Sequence, residues 1–329
     1  MTGAPSAPGI DLPLMLAPLA DFTDAAFRLV CRQSGADRAY TEMVSAAALA
    51  HAHAATRLLL DTLPGEGPVG CQIFGADVRE IAYAAREIEA LSGRFCELNL
   101  NAGCPMTKVT RCGAGAELVK SPGRIYELLV AMRQETSLPV TLKTRLGPNP
   151  QNTTIFEILD AAERAGASAL IVHARYTSQM HGGETQLDVL ADVVRRAHIP
   201  VIGNGSVRDG PSAAAMAQTG VAGLMIGRAA LARPDIFRRL KRGDMCGAPL
   251  TEPGAWARQH LDALRTLHRQ RTAAFPGARF PARDAFVALK ARTHLFRYFS
   301  GQPGAAALRA RFNAVKDLAG IEALLRGDA

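Results

Sequence analysis

The sequence predicts a (β/α)8 barrel, the TIM-barrel fold, followed by a small all-helical C-terminal domain. Eight short apolar runs alternate with amphipathic stretches up to about residue 232. Beyond a segment rich in glycine and proline at 243–254, only helical patterns remain. Near-continuous apolar strands separated by helices are typical of a parallel sheet covered on both faces.

The predicted strands are 14–18, 38–43, 68–75, 95–101, 139–146, 168–175, 200–205 and 222–228. Eight strand–helix units in about 215 residues favour a closed barrel. An open doubly wound sheet is the alternative, but it favours fewer strands and a glycine-rich first turn, and segment 17–24 contains no glycine. We therefore predict a catalytic barrel over 1–242, a linker over 243–254 and a basic helical domain over 255–329.

Composition excludes several classes of protein. The chain of 329 residues is 48% hydrophobic, which is enough for a full core and argues against disorder. No apolar stretch approaches the ~18 residues that span a bilayer, and residues 1–13 lack the pattern of a signal peptide. The six cysteines form no CxxC pair or zinc spacing, so we predict neither a metal nor disulfides. We expect a cytoplasmic protein without membrane contact.

Charge is distributed unevenly along the chain. Residues 1–232 carry 20 Lys and Arg against 22 Asp and Glu, whereas residues 233–329 carry 18 against 8. The whole net charge of +8 therefore comes from the last third. This asymmetry favours a polyanionic partner, although a basic surface without a partner would give the same count.

Polar residues stand at or near the end of every predicted strand, where barrel enzymes carry their functional groups. They are Asp21, Glu42, Gln72, Asn99, Asn101, Cys104, Lys143, Arg145, His173, Arg175, Asn204 and Arg228. Packing alone does not explain so many polar groups at these positions. The pattern predicts an enzyme.

Two glycine-containing turns follow strands seven and eight, at 202–206 and 225–230. In barrels, the loops after these strands commonly form a phosphate site with a helix N-terminus. Gly205 and Gly227 would let the backbone approach a phosphate, and Arg228 could pair with it. The turns predict a phosphate-bearing cofactor.

Lys143 lies within an otherwise apolar strand, and strand alternation places Arg145 on the same side. A buried ammonium needs an anion or an electron-rich partner. The alternative is a structural salt bridge to Glu42 or Glu97. His173 could be a structural histidine, but its place beside Lys143 favours contact with the cofactor.

Cys104 lies between Gly103 and Pro105, which would fix a bend and present the thiol at the barrel mouth. The thiol could be a nucleophile, a proton donor or an inert buried group. A neutral thiol with a pKa near the reference of ~8.5 could donate a proton at neutral pH. The following GAGA at 113–116 suggests a mobile loop that closes on substrate.

At these residues the chain resembles the tRNA-dihydrouridine synthase family, in its bacterial FMN-dependent form. The matching motifs stand in the order expected for the family. They are APLADFTDAAFR (17–28), TEM (41–43), QIFG (72–75), NAGCPMTKV (101–109), GAGAEL (113–118), VTLKTR (140–145), HAR (173–175), NGS (204–206) and MIGRAALARPDIF (225–237). Ser206 departs from the acidic residue common at that position, so its contact is the least secure.

The resemblance implies an enzyme that binds FMN and reduces a tRNA uridine to 5,6-dihydrouridine. NADPH would reduce the flavin, N5 would pass hydride to C6 of the uracil, and Cys104 would protonate C5. The implied cofactor contacts are Pro18, Leu19, Ala20, Gln72, Lys143, His173, Asn204, Gly205, Ser206, Gly227 and Arg228. The expected substrate contacts are Asn101, Arg145, Arg175, Arg292 and Arg297. The target base would leave its stack, the helical domain would clamp the tRNA backbone, and we expect a monomer.

Two rival functions remain open at this point. A flavin barrel that dehydrogenates a free pyrimidine would share the barrel and the flavin site, but a basic helical tail distinguishes this chain from it. A non-catalytic RNA-binding protein would keep the charge, but it would not need Asn101, Cys104 and Lys143 at strand ends.

Overall fold

The computed structural model describes residues 9–67, 69–244 and 246–326. Residues 1–8, which open the segment examined for a signal peptide, lie outside the described residues, as does the end of the predicted helical domain at 327–329. The described residues contain nine strands: β1 (Leu14–Leu16), β2 (Arg38–Ala39), β3 (Val44–Ser45), β4 (Val69–Phe74), β5 (Phe95–Ala102), β6 (Val140–Arg145), β7 (Ala169–His173), β8 (Val201–Asn204) and β9 (Gly223–Ile226).

All strand pairs are parallel, in the order β2-β1-β9-β8-β7-β6-β5-β4-β3. A parallel bridge between Tyr40 and Gly70 also joins the β2 segment to β4, and the Thr41 N–H donates to the Gly70 carbonyl at 2.9 Å. These contacts bring the two ends of the sheet together as a barrel. The predicted fold class is confirmed, with the second predicted strand continuing into the short extra strand β3.

The helices of the described chain cover the outside of the sheet up to residue 241 and then form a separate group. They are α1 (Ala25–Gln33), α2 (Ala46–Ala50), α3 (Ala54–Arg57), α4 (Val78–Glu89), α5 (Thr107–Thr110), α6 (Pro122–Glu135), α7 (Ile155–Arg164), α8 (Leu187–Arg196), α9 (Gly210–Ala217), α10 (Arg228–Ala232), α11 (Ile236–Lys241), α12 (Pro253–Ala274), α13 (Arg283–His294), α14 (Ala305–Ala314) and α15 (Leu318–Arg326).

Local sequence explains where several of these helices begin and end. The Asp77 side chain accepts hydrogen bonds from the N–H groups of Arg79 and Glu80, so α4 begins with a satisfied cap. Pro122 stands at the first position of α6, where its missing N–H costs nothing. Just beyond the end of α7, Gly166 adopts φ +73°, a conformation that favours glycine.

The barrel interior holds a small apolar cluster of Met15, Ala17, Tyr40, Ile171, Ile202 and Met225. Gly70 is required beside it, because a Cβ at that position would lie 2.5 Å from the Tyr40 ring. The larger apolar core lies between the sheet and the surrounding helices. Interior side chains therefore fill the lower barrel and leave function to the strand ends.

Helices α12 to α15 form the C-terminal helical domain. Helix α12 packs along α1 of the barrel, and its Arg271 forms an ion pair with Asp61 at 2.5 Å. Gln270 Nε2 also donates to the Thr62 carbonyl at 2.7 Å. No described helix has the length and apolarity needed to cross a bilayer. The domain boundaries at 242 and 255 stay a prediction.

Candidate active site

The carboxyl ends of the parallel strands bring the predicted polar residues side by side. Asn101 on β5 is in register with Lys143 on β6, and Arg145 is in register with His173 on β7. His173 is in turn beside Asn204 on β8. The strand register therefore places these five residues along one rim of the barrel.

A chain of polar side chains, here called the interior polar chain, runs through the barrel interior from Arg38 on β2 to Asn101 near the carboxyl end of β5. It consists of Arg38, Glu97, Thr141, Asn99, Gln72 and Asn101. Arg38 is ion-paired with Glu97, whose Oε1 accepts from the Thr141 hydroxyl at 2.9 Å. Gln72 Nε2 donates to Asn99 at 2.6 Å, and Gln72 Oε1 accepts from Asn101 Nδ2 at 2.9 Å. Gln72 is fully buried, so both ends of its amide are fixed by protein.

Asn101 shapes the turn that carries Cys104. Its Oδ1 accepts from the N–H of Gly103 at 3.1 Å and from the N–H of Cys104 at 3.0 Å. Arg145 Nε holds the Gly103 carbonyl at 2.7 Å. Cys104 is half-buried, and burial raises the pKa of its thiol, an effect that the nearby Lys143 and Arg145 partly oppose. The thiol is therefore accessible and protonated at neutral pH.

The GAGA segment after Cys104 differs from the mobile loop that its composition suggested. Ala114 and Ala116 are buried, and a 3-10 helix runs from Gly115 to Lys120. The Ala116 N–H donates to the Cys104 carbonyl at 2.8 Å. Gly115 has φ +61°, and a Cβ there would lie 2.6 Å from the same carbonyl. These glycines serve close packing that supports the Cys104 turn.

Lys143 has no carboxylate partner among the described residues. Its Nζ donates to Asn204 Oδ1 at 3.0 Å, while Asn204 Nδ2 donates to the Met225 carbonyl at 2.7 Å. The alternative salt bridge is wrong, since Glu97 pairs with Arg38 and Glu42 accepts from the Asp21 N–H. Burial, together with the charge of Arg145, lowers the pKa of Lys143 to about 7.

His173 and Arg175 organise the loop after β7. Arg175 Nη1 lies 3.2 Å from His173 Nε2, and because arginine only donates, Nε2 is the acceptor. Arg175 also donates to the Gly183 carbonyl at 2.7 Å and to Ser206 Oγ at 2.6 Å. The loop returns His181 to a stacked position 6.2 Å from the His173 ring. Burial and the surrounding cations lower the pKa of both histidines.

Arg145 and Arg175 are only 1% and 3% exposed. Apart from the histidine and serine contacts of Arg175, their hydrogen bonds go to backbone carbonyls of the surrounding loops, including that of Tyr176. This burial gives both arginines a supporting role in the structure. Direct substrate contact by either one stays a prediction, and the burial does not favour it.

The rim between β6 and α10 concentrates positive charge. It carries six basic side chains: Lys143, Arg145, His173, Arg175, His181 and Arg228. Across the described parts of the chain, none of the six has a carboxylate within ion-pair distance. His173 and His181 are neutral at neutral pH because their pKa values are lowered, so the positive charge comes from Lys143 and the three arginines. Uncompensated cations at one rim form a site for an anionic ligand.

The two predicted phosphate turns follow the neighbouring strands β8 and β9. Gly205 has φ +122°, and a Cβ there would lie 2.9 Å from Thr185 Cγ2 and 3.1 Å from the His173 ring. Ser206 also has a positive φ, at 54°. A Cβ at Gly227 would make only ordinary van der Waals contacts, with Ala17 Cβ at 3.7 Å and Leu19 Cδ2 at 3.8 Å, and Gly227 directly precedes the exposed Arg228. Backbone crowding thus requires glycine at 205 but not at 227.

The β1–α1 loop, residues 18–24, continues the rim beyond the second phosphate turn, because β1 pairs with β9. Pro18 and Leu19 are half-buried and Ala20 is exposed. Asp21 has φ 67°, and its N–H donates to the buried Glu42 carboxylate at 2.5 Å. Burial raises the pKa of Glu42, with Asp24 as a further cause.

The helical domain contributes an arginine–aromatic stack beside this loop. The Arg297 guanidinium lies 4.9 Å from the Phe22 ring centroid and 5.0 Å from the Phe296 ring centroid. The Arg309 guanidinium also lies 5.0 Å from the Phe296 ring centroid. Arg292 is half-buried on α13. Guanidinium and aromatic planes of this kind are typical of RNA-contacting surfaces.

Sequence reasoning missed three residues of the site. Met43 Sδ accepts from Asn101 Nδ2 at 3.1 Å, Thr141 links Glu97 to Asn99, and His181 stacks on His173. Only His181 left a sequence signal, a histidine followed by two glycines shortly after a strand. The fold and the site define a (β/α)8-barrel enzyme with a protonated thiol and a cationic rim at its mouth.

Comparisons with known proteins agree with this class. The family model described as dihydrouridine synthase (Dus) matches residues 15–329. The tRNA-dihydrouridine synthase B of Pseudomonas aeruginosa is 34% identical over 92% of this chain and 89% of its own length. A probable tRNA-dihydrouridine synthase of Mycobacterium tuberculosis is 33% identical over 95% of this chain and 81% of its own. Morphinone reductase in complex with tetrahydroNAD shares the fold, with a TM-score of 0.50 at 13% identity over 72% of this chain and 87% of its own.

The chain belongs to the dihydrouridine synthase family. It is an enzyme, an oxidoreductase acting on tRNA, and its family reduces uridine to dihydrouridine. The resemblance found in the sequence motifs is thereby confirmed.

Proposed function

We propose that the barrel mouth binds FMN and that the enzyme uses NADPH to reduce a tRNA uridine, with Cys104 as the proton donor. The observation that carries this proposal is the rim at which Lys143, Arg145, Arg175 and Arg228 have no carboxylate partner in the described chain. A phosphate-bearing, electron-rich cofactor supplies the missing negative charge. When bound, FMN would supply the hydride that adds to C6 of the uracil.

The phosphate would lie at the turns after β8 and β9. Asn204, Gly205 and Ser206 would offer backbone N–H groups from the first turn, and Gly227 and Arg228 would contact it from the second. The strained φ values at 205 and 206 support this assignment, since such conformations are usually kept where a ligand needs the backbone. Arg228 is exposed, and its Nη2 donates to the His181 carbonyl at 3.2 Å.

The flavin ring would lie between the β1–α1 loop and the β6–β7 rim. Pro18, Leu19 and Ala20 would contact it along one side, with Lys143 and His173 on the other. Lys143 could stabilise negative charge that develops on the ring during reduction. Contact between Gln72 and the ring is kept as what the resemblance implies, but its full burial and its bonds to Asn99 and Asn101 do not favour it.

Cys104 would donate the proton to C5 of the uracil as the hydride adds to C6. The double bond is thereby reduced, and solvent returns a proton to the thiolate. The raised pKa of the thiol favours the protonated form that a general acid needs, and the nearby Lys143 and Arg145 would stabilise the thiolate left behind. Asn101 would position Cys104 and contact the target base.

The tRNA would lie across the helical domain and the barrel mouth. Arg292 and Arg297 would contact its backbone, and the stack of Arg297, Phe296 and Arg309 would extend the same surface. Phosphate contacts of this kind give affinity without reading sequence. We also propose that residues 255–329 form this domain and that the protein acts as a cytoplasmic monomer.

The test is to purify the protein and identify its chromophore and substrate together. We expect a yellow protein that releases FMN on denaturation and oxidises NADPH only when tRNA lacking dihydrouridine is added. Free uridine or dihydroorotate should not replace the tRNA. A colourless protein that cannot be reconstituted with FMN, or turnover with a free pyrimidine instead of tRNA, would contradict the proposal. Mapping dihydrouridine in tRNA from a strain lacking the protein would identify the reduced position.

A further inference from the structure

The helical domain holds the β1–α1 loop directly. The Nε2 atom of His294, the last residue of α13, lies 3.0 Å from the Phe22 carbonyl oxygen. Because a carbonyl only accepts, Nε2 must carry the proton. The other nitrogen, Nδ1, is buried and has no hydrogen-bond partner among the residues that the structure describes, which is the arrangement of a neutral ring. Burial, which lowers the pKa of His294 to about 4, agrees with this assignment.

The same histidine also packs against aromatic rings from the barrel. Its ring is edge-on to Phe22, with the centroids 5.3 Å apart, and it lies 4.5 Å from the ring of Phe27 on α1. On the same helix, Lys290 Nζ lies 3.5 Å from the buried carboxylate of Asp24, the residue that caps α1. Helix α13 therefore contacts both Phe22 and Asp24 at the end of the loop.

The loop is shaped so that this contact controls its position over the mouth. Leu19 closes a tight turn in which its carbonyl accepts from the N–H groups of Phe22 at 3.1 Å and Thr23 at 3.0 Å. Its side chain reaches the second phosphate turn, where a Cβ on Gly227 would lie 3.8 Å from Leu19 Cδ2. A shift at Phe22 would thus move Leu19 relative to the phosphate turn.

We propose that α13 forms part of the cofactor site and that His294 is a positioning residue, which fixes the flavin-facing loop through the Phe22 carbonyl. This inference rests on the proposed function, in which that loop lies along FMN. It assigns the helical domain a second role beside tRNA binding. The domain would hold the cofactor loop even when no tRNA is present.

The experiment compares full-length holoenzymes with His294→Phe, His294→Gln and a matched control. His294→Phe keeps an aromatic ring and removes the donor, whereas His294→Gln keeps a side-chain N–H. The control, Gln270→Met, removes another hydrogen bond from the helical domain to a barrel carbonyl, that of Thr62, which lies outside the loop. The dissociation constant of FMN is measured by flavin fluorescence on dilution, and the absorbance spectrum of the bound flavin is recorded.

We expect His294→Phe to weaken FMN binding about tenfold and to shift the flavin spectrum, because one buried hydrogen bond is lost. His294→Gln should restore most of the affinity, and Gln270→Met should bind FMN like the wild type. The inference is overturned if His294→Phe binds FMN normally, if Gln fails to rescue a folded variant, or if Gln270→Met weakens binding equally. A wild-type protein that does not bind FMN would instead contradict the proposed function itself.

Discussion

Replacing Lys143 by methionine should stabilise the flavin-free protein, and more so in acid. Burial lowers the pKa of Lys143 from 10.5 to about 7, so the folded state resists the charge that the unfolded chain carries. The lowered pKa reduces the free energy of unfolding, most strongly below pH 7 and less as the pH rises toward 10.5. From the two pKa values, this reduction is about 4.5 kcal/mol at pH 6 and about 2 kcal/mol at pH 9.

The difference between the two pH values is the useful quantity, because contributions that do not depend on the charge of Lys143, such as the packing of the new methionine, cancel in it. Solvent reaches the half-buried ammonium, so we expect the gain from Lys143→Met to be roughly 1–2.5 kcal/mol larger at pH 6 than at pH 9. Urea unfolding of both flavin-free proteins at each pH measures it. Lys316→Met removes an exposed lysine as the control and should show no such change. If the stability gained by Lys143→Met at pH 6 is equal to or smaller than the gain at pH 9, the claim that Lys143 carries an uncompensated charge is refuted.

The remaining predictions concern the thiol, the helical domain and the phosphate turns. Cys104→Ala should keep FMN and tRNA binding but slow reduction about 100-fold or more, and unchanged turnover would exclude the assigned role. Replacing Arg292 and Arg297 together by glutamine should weaken tRNA binding and reduce its salt slope by roughly 2, whereas an unchanged slope would place the contact on another face. Gly205→Ala should lower stability by roughly 1–3 kcal/mol in thermal melting, because of its φ of +122° and its crowding. Gly227→Ala, whose Cβ would make only ordinary van der Waals contacts at 3.7 Å or more, should melt like the wild type, and equal losses would contradict this difference.

The strand positions and the composition of the rim could be predicted because both depend on local pattern. Buried parallel strands leave apolar runs, and alternation alone placed Lys143 and Arg145 on one side of β6. What those side chains contact depends on loops from elsewhere in the chain. Arg145 donates hydrogen bonds to the carbonyls of Gly103 and Tyr176, and no spacing in the sequence indicates these two contacts.

The GAGA segment shows the same limit for glycine. A glycine-rich stretch has two physical readings, freedom of the backbone or close approach to another group, and composition does not separate them. Here Gly115 is needed because its neighbour is the Cys104 carbonyl. The prediction of a mobile loop failed because that neighbour comes from a turn eleven residues earlier, whose path is set by Asn101 and Arg145.

The interior polar chain explains why the thiol is held so firmly at the mouth. Its direction is set at one end by Glu97, which is ion-paired with Arg38 and accepts the Thr141 hydroxyl. Each amide that follows must then turn its oxygen toward the next donor along the chain, and at the far end Asn101 presents Oδ1 to the Cys104 turn. If any one of these amides were flipped, its oxygen would face another acceptor and its N–H group would face another donor. The orientation of the catalytic turn therefore depends on the Arg38–Glu97 ion pair, which lies toward the other end of the barrel interior.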